Sequence, residues 1–204
     1  MIKSREVFLC MIFALGGCGD NVPPLVEATR EVFANAGVPD TYGSLLPDTT
    51  DELLAQFDFQ ILYVDVPSVR DETFMRPFEK NGGVETWMGP QGRMLSIVDG
   101  VVRGTRGYGY DLAAAQRPDL LTLSSAARRK ERYSIIYRHW NDEEELITRT
   151  GYCNPREIPD GIEEICFLGD LEFTNSYELD RHGIKSSRQW ISPERGYLRT
   201  IRLK

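Results

Sequence analysis

The chain is poor in histidine. His139 and His182 are the only two in 204 residues. No Cys-x-x-Cys pair accompanies them, so the donor set of a zinc site is missing. The acidic run at 142–145 lacks the Asp-x-Asp-x-Asp-Gly spacing of a calcium loop. No metal or other cofactor is expected. A Gly-x-Ser-x-Gly elbow is also absent, and the two histidines fall in an expected strand and an expected turn, which leaves a Ser-His triad poorly supported. Positive charge is in deficit, with 24 Lys and Arg against 31 Asp and Glu, a net −7. That balance argues against nucleic acid as a partner and against charge-driven binding to anionic lipid. Long hydrophobic runs are lacking too. The apolar run at 7–15 would span about 14 Å as a helix at ~1.5 Å per residue, where a bilayer core needs ~30 Å.

What that short run does have is its setting. Lys3 and Arg5 precede it, and Leu15-Gly16-Gly17-Cys18 follows it. A basic start, an apolar stretch and small residues ending in cysteine form a lipoprotein signal. Residues 1–17 are expected to be removed and Cys18 to carry the lipid: its thiol takes a diacylglyceryl thioether and its freed amine can be acylated. Each buried methylene contributes ~0.8 kcal/mol, so two or more chains give a stable anchor. The alternative is a buried N-terminal strand that happens to contain Cys18. Gly19 rather than Asp follows the cysteine. By the enteric sorting rule this favours the outer membrane, facing the periplasm, although Asp20 stands one place later. The removed segment carries Lys3, Arg5 and Glu6, a net +1, so the mature chain is more acidic than the whole, at −8.

Four cysteines occur. Cys10 leaves with the signal and Cys18 takes lipid. Cys153 and Cys166 remain as an even pair in an oxidising compartment, which predicts a disulfide worth about 3 kcal/mol by chain entropy. The alternative is two free buried thiols, which the export signal disfavours.

Residues 18–24 read as a lipidated tether. Pro24 opens a helix over 24–36, stopped by Gly37; residues 50–56 add a further turn or two. From there the period changes to two. Phe57, Phe59, Ile61 and Tyr63 alternate as a strand closed by Pro67. Hairpins are predicted at 74–88 around Asn81-Gly82, at 94–106 around Asp99-Gly100, and at 175–191 around residues 180–183. A short helix over 110–117 ends at Pro118. Strands are expected at 132–140, 146–153, 164–173 and 197–203. This predicts a mainly β protein: an antiparallel, closed or nearly closed, barrel-like sheet, with one or two short helices near the N-terminus of the mature chain. Without repeats or a low-complexity linker, residues 25–204 read as a single β-rich domain.

Three stretches carry a resemblance. They are Asn81-Gly82-Gly83-Val84-Glu85-Thr86-Trp87; Asp99-Gly100 through Thr105-Arg106-Gly107 and Gly109-Tyr110-Asp111-Leu112; and Ser187-Arg188-Gln189-Trp190-Ile191-Ser192-Pro193 with Gly196-Tyr197. With the lipid signal ahead of them and the late cysteine pair, the chain resembles the YjbF/GfcB lipoproteins, the group 4 capsule polysaccharide lipoprotein family. The resemblance implies a β-rich envelope lipoprotein encoded with exopolysaccharide or capsule genes. It implies no catalytic residues, and it carries over only Cys18, the lipid-bearing position.

The expected function is therefore non-enzymatic: assisting production or export of extracellular or capsular polysaccharide. The partners would be the membrane, through the lipid, and export proteins or the polysaccharide. A second reading is direct glycan binding, with Trp87, Trp190 and Tyr197, and also Trp140 and Tyr108, offering rings to sugar faces. Core packing is the simpler account of most of these rings. A third reading is a glycan hydrolase using two carboxylates ~5–10 Å apart, with Glu85, Asp99 and Asp111 as candidates. Each has a plainer use, as a solvated strand face, a turn former and a helix cap. Arg70, Arg76, Arg93, Arg103, Arg106, Arg188 and Arg195 could form a face for an acidic polymer, or simply pair with neighbouring carboxylates.

Overall fold

The computed structural model describes residues 54–55, 57–141 and 143–203. Cys18, the signal segment, the tether and the helix expected over 24–36 lie outside the described residues, and of the turn expected over 50–56 only Leu54 and Ala55 are described, both helical.

The described chain forms one sheet of twelve strands: β1 (Leu62–Val66), β2 (Asp71–Asn81), β3 (Val84–Met88), β4 (Met94–Val98), β5 (Val101–Arg106), β6 (Leu112–Gln116), β7 (Tyr133–Trp140), β8 (Leu146–Ile158), β9 (Gly161–Leu168), β10 (Leu171–Asp180), β11 (Gly183–Ser192) and β12 (Gly196–Arg202). One α-helix, α1 (Leu120–Arg129), joins β6 to β7, and two 3-10 turns sit at Pro67–Val69 and Pro90–Gly92. The spatial order is β5-β4-β3-β2-β1-β12-β11-β10-β9-β8-β7-β6. Every neighbouring pair is antiparallel.

Alternation along the strands explains the curl. In β9, Ile162, Glu164, Cys166 and Leu168 are buried while the residues between them are partly exposed; in β10, Phe173, Asn175 and Tyr177 repeat the pattern. One face of the sheet is thus committed to a common interior. Rolling the sheet brings its edges, β5 and β6, side by side. They do not form a ladder. Leu112 N donates to Thr105 Oγ1 at 2.9 Å, and Arg103 donates to the carbonyls of Arg117 and Pro118. A Cβ on Gly104 would lie 3.3 Å from Leu112 O, so the absence of a side chain lets the two edges approach. The result is a nearly closed barrel laced along its seam by side chains.

Helix α1 caps one end. Asp119 accepts from Thr122 N at 2.8 Å as its N-cap, and Lys130 ends it in the left-handed region. Leu123 and Ala127 pack on Val101, Ile162, Tyr177 and Ile184, at the strand ends of β5, β9, β10 and β11. Burying Leu123 contributes about 1.5–3 kcal/mol. Among the described residues no helix is long and apolar enough to cross a membrane.

Three sequence expectations are corrected. Residues 110–117 do not form a helix; β6 runs through them, because pairing with β7 overrides the helix preference of Ala113-Ala114-Ala115. Pro118 ends no helix; it immediately precedes the Asp119 cap of α1, an element the strand patterning did not suggest. The stretch 164–173 is two strands, β9 and β10, divided at Gly169-Asp170, with Gly169 at φ +62°. The strand expected from Phe57 begins later, at Leu62, and ends before Pro67 as the sequence indicated.

Candidate functional site

The barrel is open beside α1. The helix covers the β5, β9, β10 and β11 side of that end, and a cavity of about 870 Å³ occupies the rest. Its floor and walls are Leu62, Trp87, Ile97, Ile184 and Thr200 of the barrel with Leu120, Leu121 and Ser124 of α1. Glu85, Asp99, Asp180, His182, Lys185 and Arg202 add the charged and polar groups of the lining. Several are held by one another. Glu85 pairs with Lys80 at 2.8 Å, Asp180 accepts from His182 N at 2.6 Å, and Arg202 donates to the His182 carbonyl at 3.3 Å. Leu121 stands 75% exposed beside these groups. A concave site with an apolar floor and a few convergent polar groups is the form of a ligand pocket.

A chain of hydrogen bonds runs from this floor into the barrel. Thr200 and Ser187 share a hydroxyl contact at 2.7 Å, and Gln189 Nε2 donates to Ser187 Oγ at 2.8 Å and to Gly100 O at 3.0 Å. Gln189 Oε1 accepts from Val102 N at 2.9 Å and lies 3.5 Å from the Tyr177 hydroxyl. Tyr177 donates to Glu164 at 3.0 Å, as does Asn175 Nδ2. Glu164 forms an ion pair with Arg117, both side chains at 1% exposure or less, and Arg117 also donates to the Tyr137 hydroxyl at 2.9 Å. Burial alone would pull the Arg117 guanidinium down; Glu164, with Tyr137 and Tyr177, more than reverses this and holds it above its ordinary value. Burial likewise pushes the Tyr177 hydroxyl well up, so it remains protonated and donates.

The motif residues acquire roles in this frame. Gln189, from the most distinctive stretch of the sequence, pins the β4–β5 turn to β11. Gly100 sits in that turn at φ +83°, and a Cβ there would come within 2.7 Å of Ile184 Cβ. Asp111 accepts from Thr105 Oγ1, Gly107 N and Tyr108 N and fixes the β5–β6 connection. It caps a turn, not a helix.

Trp87, Trp190 and Tyr197 are not brought onto one surface. Trp190 is 6% exposed, stacked on Phe173 at 4.5 Å and edge-on to Tyr137 inside the barrel. It offers no ring to a ligand outside, because its contacts belong to the closed interior. Trp87 lines the cavity at 4% exposure. Tyr197 lies partly buried beneath the Arg188 guanidinium, with its hydroxyl accepting from Thr174 N. Of the further rings considered, Trp140 is 43% exposed and Tyr108 is buried. The arginines are largely engaged within the fold: Arg93 with Asp71, Arg103 with two carbonyls, Arg188 with Thr174 O, and Arg195 with Tyr108 O and Gly109 O.

Cys153 and Cys166 face each other across β8 and β9 and are joined as a disulfide. Among the described residues, Cys153, Glu164 and Cys166 are the group close enough to share a metal, but the sulfurs are bonded to each other and Glu164 is paired with Arg117. The Arg117–Glu164 pair could not be read from the chain. Its members are 47 positions apart, and no local spacing marks either one.

Among known proteins, the crystal structure of the hypothetical lipoprotein YmcC from Escherichia coli K12 is similar to this chain with a TM-score of 0.65 at 14% identity. The match covers 78% of this chain and 90% of YmcC, and it shows a shared fold. No curated protein matches. The family model described as group 4 capsule polysaccharide lipoprotein gfcB, YjbF, matches residues 46–203. The match takes in every strand of the barrel, and the chain belongs to this family of capsule polysaccharide lipoproteins.

Proposed function

We propose that the protein is a lipid-anchored, non-enzymatic component of the cell envelope that assists production or export of an extracellular or capsular polysaccharide. The observation that carries this reading is the family match over 46–203. The lipid signal ending at Cys18 supports it, since a lipid on that cysteine would hold the barrel at a membrane surface outside the cytoplasm, and Gly19 favours outer-membrane attachment. The disulfide fits an oxidising compartment.

Three carboxylates were the candidates for hydrolysis. Asp111 is taken up by the β5–β6 turn, Glu85 is paired with Lys80, and Asp99 holds the left-handed position of a hairpin turn at φ +50°. These structural uses support an assisting role over hydrolysis. Deleting the gene is expected to lower surface or secreted polymer, and wild-type protein to restore it. The Cys18→Ser form should fail to restore it and should fractionate away from membranes. Unchanged polymer amount and chain length in the deletion strain would count decisively against the reading. Shortened chains after incubating the purified protein with that polymer would replace it with the hydrolase reading.

A further inference from the structure

We propose that the cavity beside α1 is a glycan-binding mouth, taking a few hydroxyl-rich, uncharged sugar residues of the polymer. This rests on the functional reading above and assigns it a place on the molecule. The location follows from how the two ends of the barrel are finished. At the far end, Arg195 reaches from the β11–β12 turn to the carbonyls of Tyr108 and Gly109 and lies over the Tyr110 ring. At the near end α1 stops short, and the cavity exposes inward-facing positions of β1, β3, β4 and β12.

The chemistry of the lining selects the ligand. A sugar residue presents apolar C–H faces and a rim of hydroxyls. Leu62, Trp87, Ile97 and Ile184 supply apolar surface, while Glu85, Asp99 and Asp180 supply carboxylate acceptors. A carboxylate accepting from a hydroxyl makes a short, charge-assisted bond, stronger than one between neutral groups. Lys185 and Arg202 supply donors, but Lys185 is already paired with Glu178. Glu85 is likewise paired with Lys80, which leaves Asp99 and Asp180 against Arg202, so carboxylates still outweigh cationic groups and an acidic sugar would meet repulsion. Trp87 lines the cavity, and its indole Nε1, shielded from solvent, has no hydrogen-bond partner. Below it, the Thr200 hydroxyl stands at the head of the bonded chain that ends at Arg117. The mouth is thus backed by a fixed polar framework, which lowers the ordering cost of binding.

The test uses the mature lipidated protein in detergent micelles. The probes are oligosaccharides released from the producing cells' exopolysaccharide by partial acid hydrolysis and separated into neutral and acidic pools. Calorimetry is expected to show binding of the neutral pool, little changed by salt, with a change in tryptophan fluorescence that Trp87→Phe removes. Ser124→Trp, which fills the mouth from the α1 wall, should weaken binding at least tenfold. Asp99→Asn removes one carboxylate, and asparagine tolerates the left-handed turn; it should weaken binding several-fold with an unchanged melting curve. If Ser124→Trp fails to fold, Asp99→Asn decides. Failure of the wild type to bind the neutral pool, stronger binding of the acidic pool, or wild-type affinity in Asp99→Asn would each overturn the proposal. If gene deletion still lowers polymer while the wild type binds no oligosaccharide, the mouth is refuted and the assisting role stands.

Discussion

A carboxylate with no exposed surface persists only with a partner, and Glu164 has Arg117, Asn175 and Tyr177 around it. Deleting one member of such a pair leaves the other charged and buried, at a cost of about 3–5 kcal/mol. Glu164→Gln should lower stability by that order in urea unfolding, and Glu164→Leu combined with Arg117→Met should recover much of the loss. A loss below 1 kcal/mol in the single variant would mean that water reaches the pair. Asp65 is a different case. Burial pushes its carboxyl up to about 6, with Arg199 pulling the other way. Between its ordinary value near 3.8 and about 6 the folded protein holds a proton that the unfolded chain has released. The resulting stabilisation is complete below the lower value and is lost as pH rises through the upper one. A shift of this size corresponds to about 3 kcal/mol at ~1.4 kcal/mol per unit. Asp65→Asn should therefore gain about 2 kcal/mol over wild type at pH 7 and lose that advantage at pH 4. An equal difference at the two pH values would refute the assignment. None of this could be read from the sequence. Asp65 and Glu164 look like strand carboxylates among many, and only the rolled sheet decides which are desolvated.

At the level of elements, the sequence was most legible where turn chemistry and alternation agree. Asp99-Gly100 placed the β4–β5 hairpin, because few residues accept the backbone angles of two-residue turns. Asn81-Gly82 marked the β2–β3 hairpin one place early: Asn81 pairs with Val84, and Gly82-Gly83, at φ +55° and +85°, form the turn. It was least legible between residues 107 and 131. There alanines favour a helix locally, yet the chain needs a strand to form the second edge of the barrel, and the true helix starts only after Pro118. The disulfide was legible from the cysteine count and compartment, but its setting was not. It bridges directly opposed residues of β8 and β9, whose hairpin turn already holds the strands together. Chain entropy assigns a loop of this length about 3 kcal/mol, and pre-existing contact in the unfolded hairpin would reduce that. Unfolding with and without reductant should show a loss of about 2–3 kcal/mol with the folded baseline intact. A reduced protein lacking a cooperative transition would show that the β8–β9 ladder depends on the bond.

The barrel as a whole has one interrupted boundary. Eleven strand pairs are laddered, whereas β5 and β6 meet through Thr105, Asp111 and Arg103. Side-chain bonds of this kind satisfy the carbonyls of Arg117 and Pro118 and the amide of Leu112, but they lack the cooperativity of a ladder. A second, shallow cavity of about 560 Å³ lies along the seam, lined by Gly104, Ala113, Ala114 and Arg103 among others. Local opening follows regions with few buried contacts and weakly supported backbone bonds. Hydrogen exchange should therefore release the β5 and β6 amides that face the seam at least tenfold faster than amides in the centre of β10 and β11. Arg103→Ala should widen that difference and leave β10 and β11 unchanged. The seam and the mouth share the β4–β5 turn, since Asp99 and Gly100 line the mouth while Val101 begins the β5 edge. A ligand held at Asp99 should then slow exchange along β5 as well as at the mouth. Protection confined to the mouth would show that the two openings act independently. Seam amides that exchange only with global unfolding would show that side-chain lacing closes this barrel as firmly as a twelfth ladder.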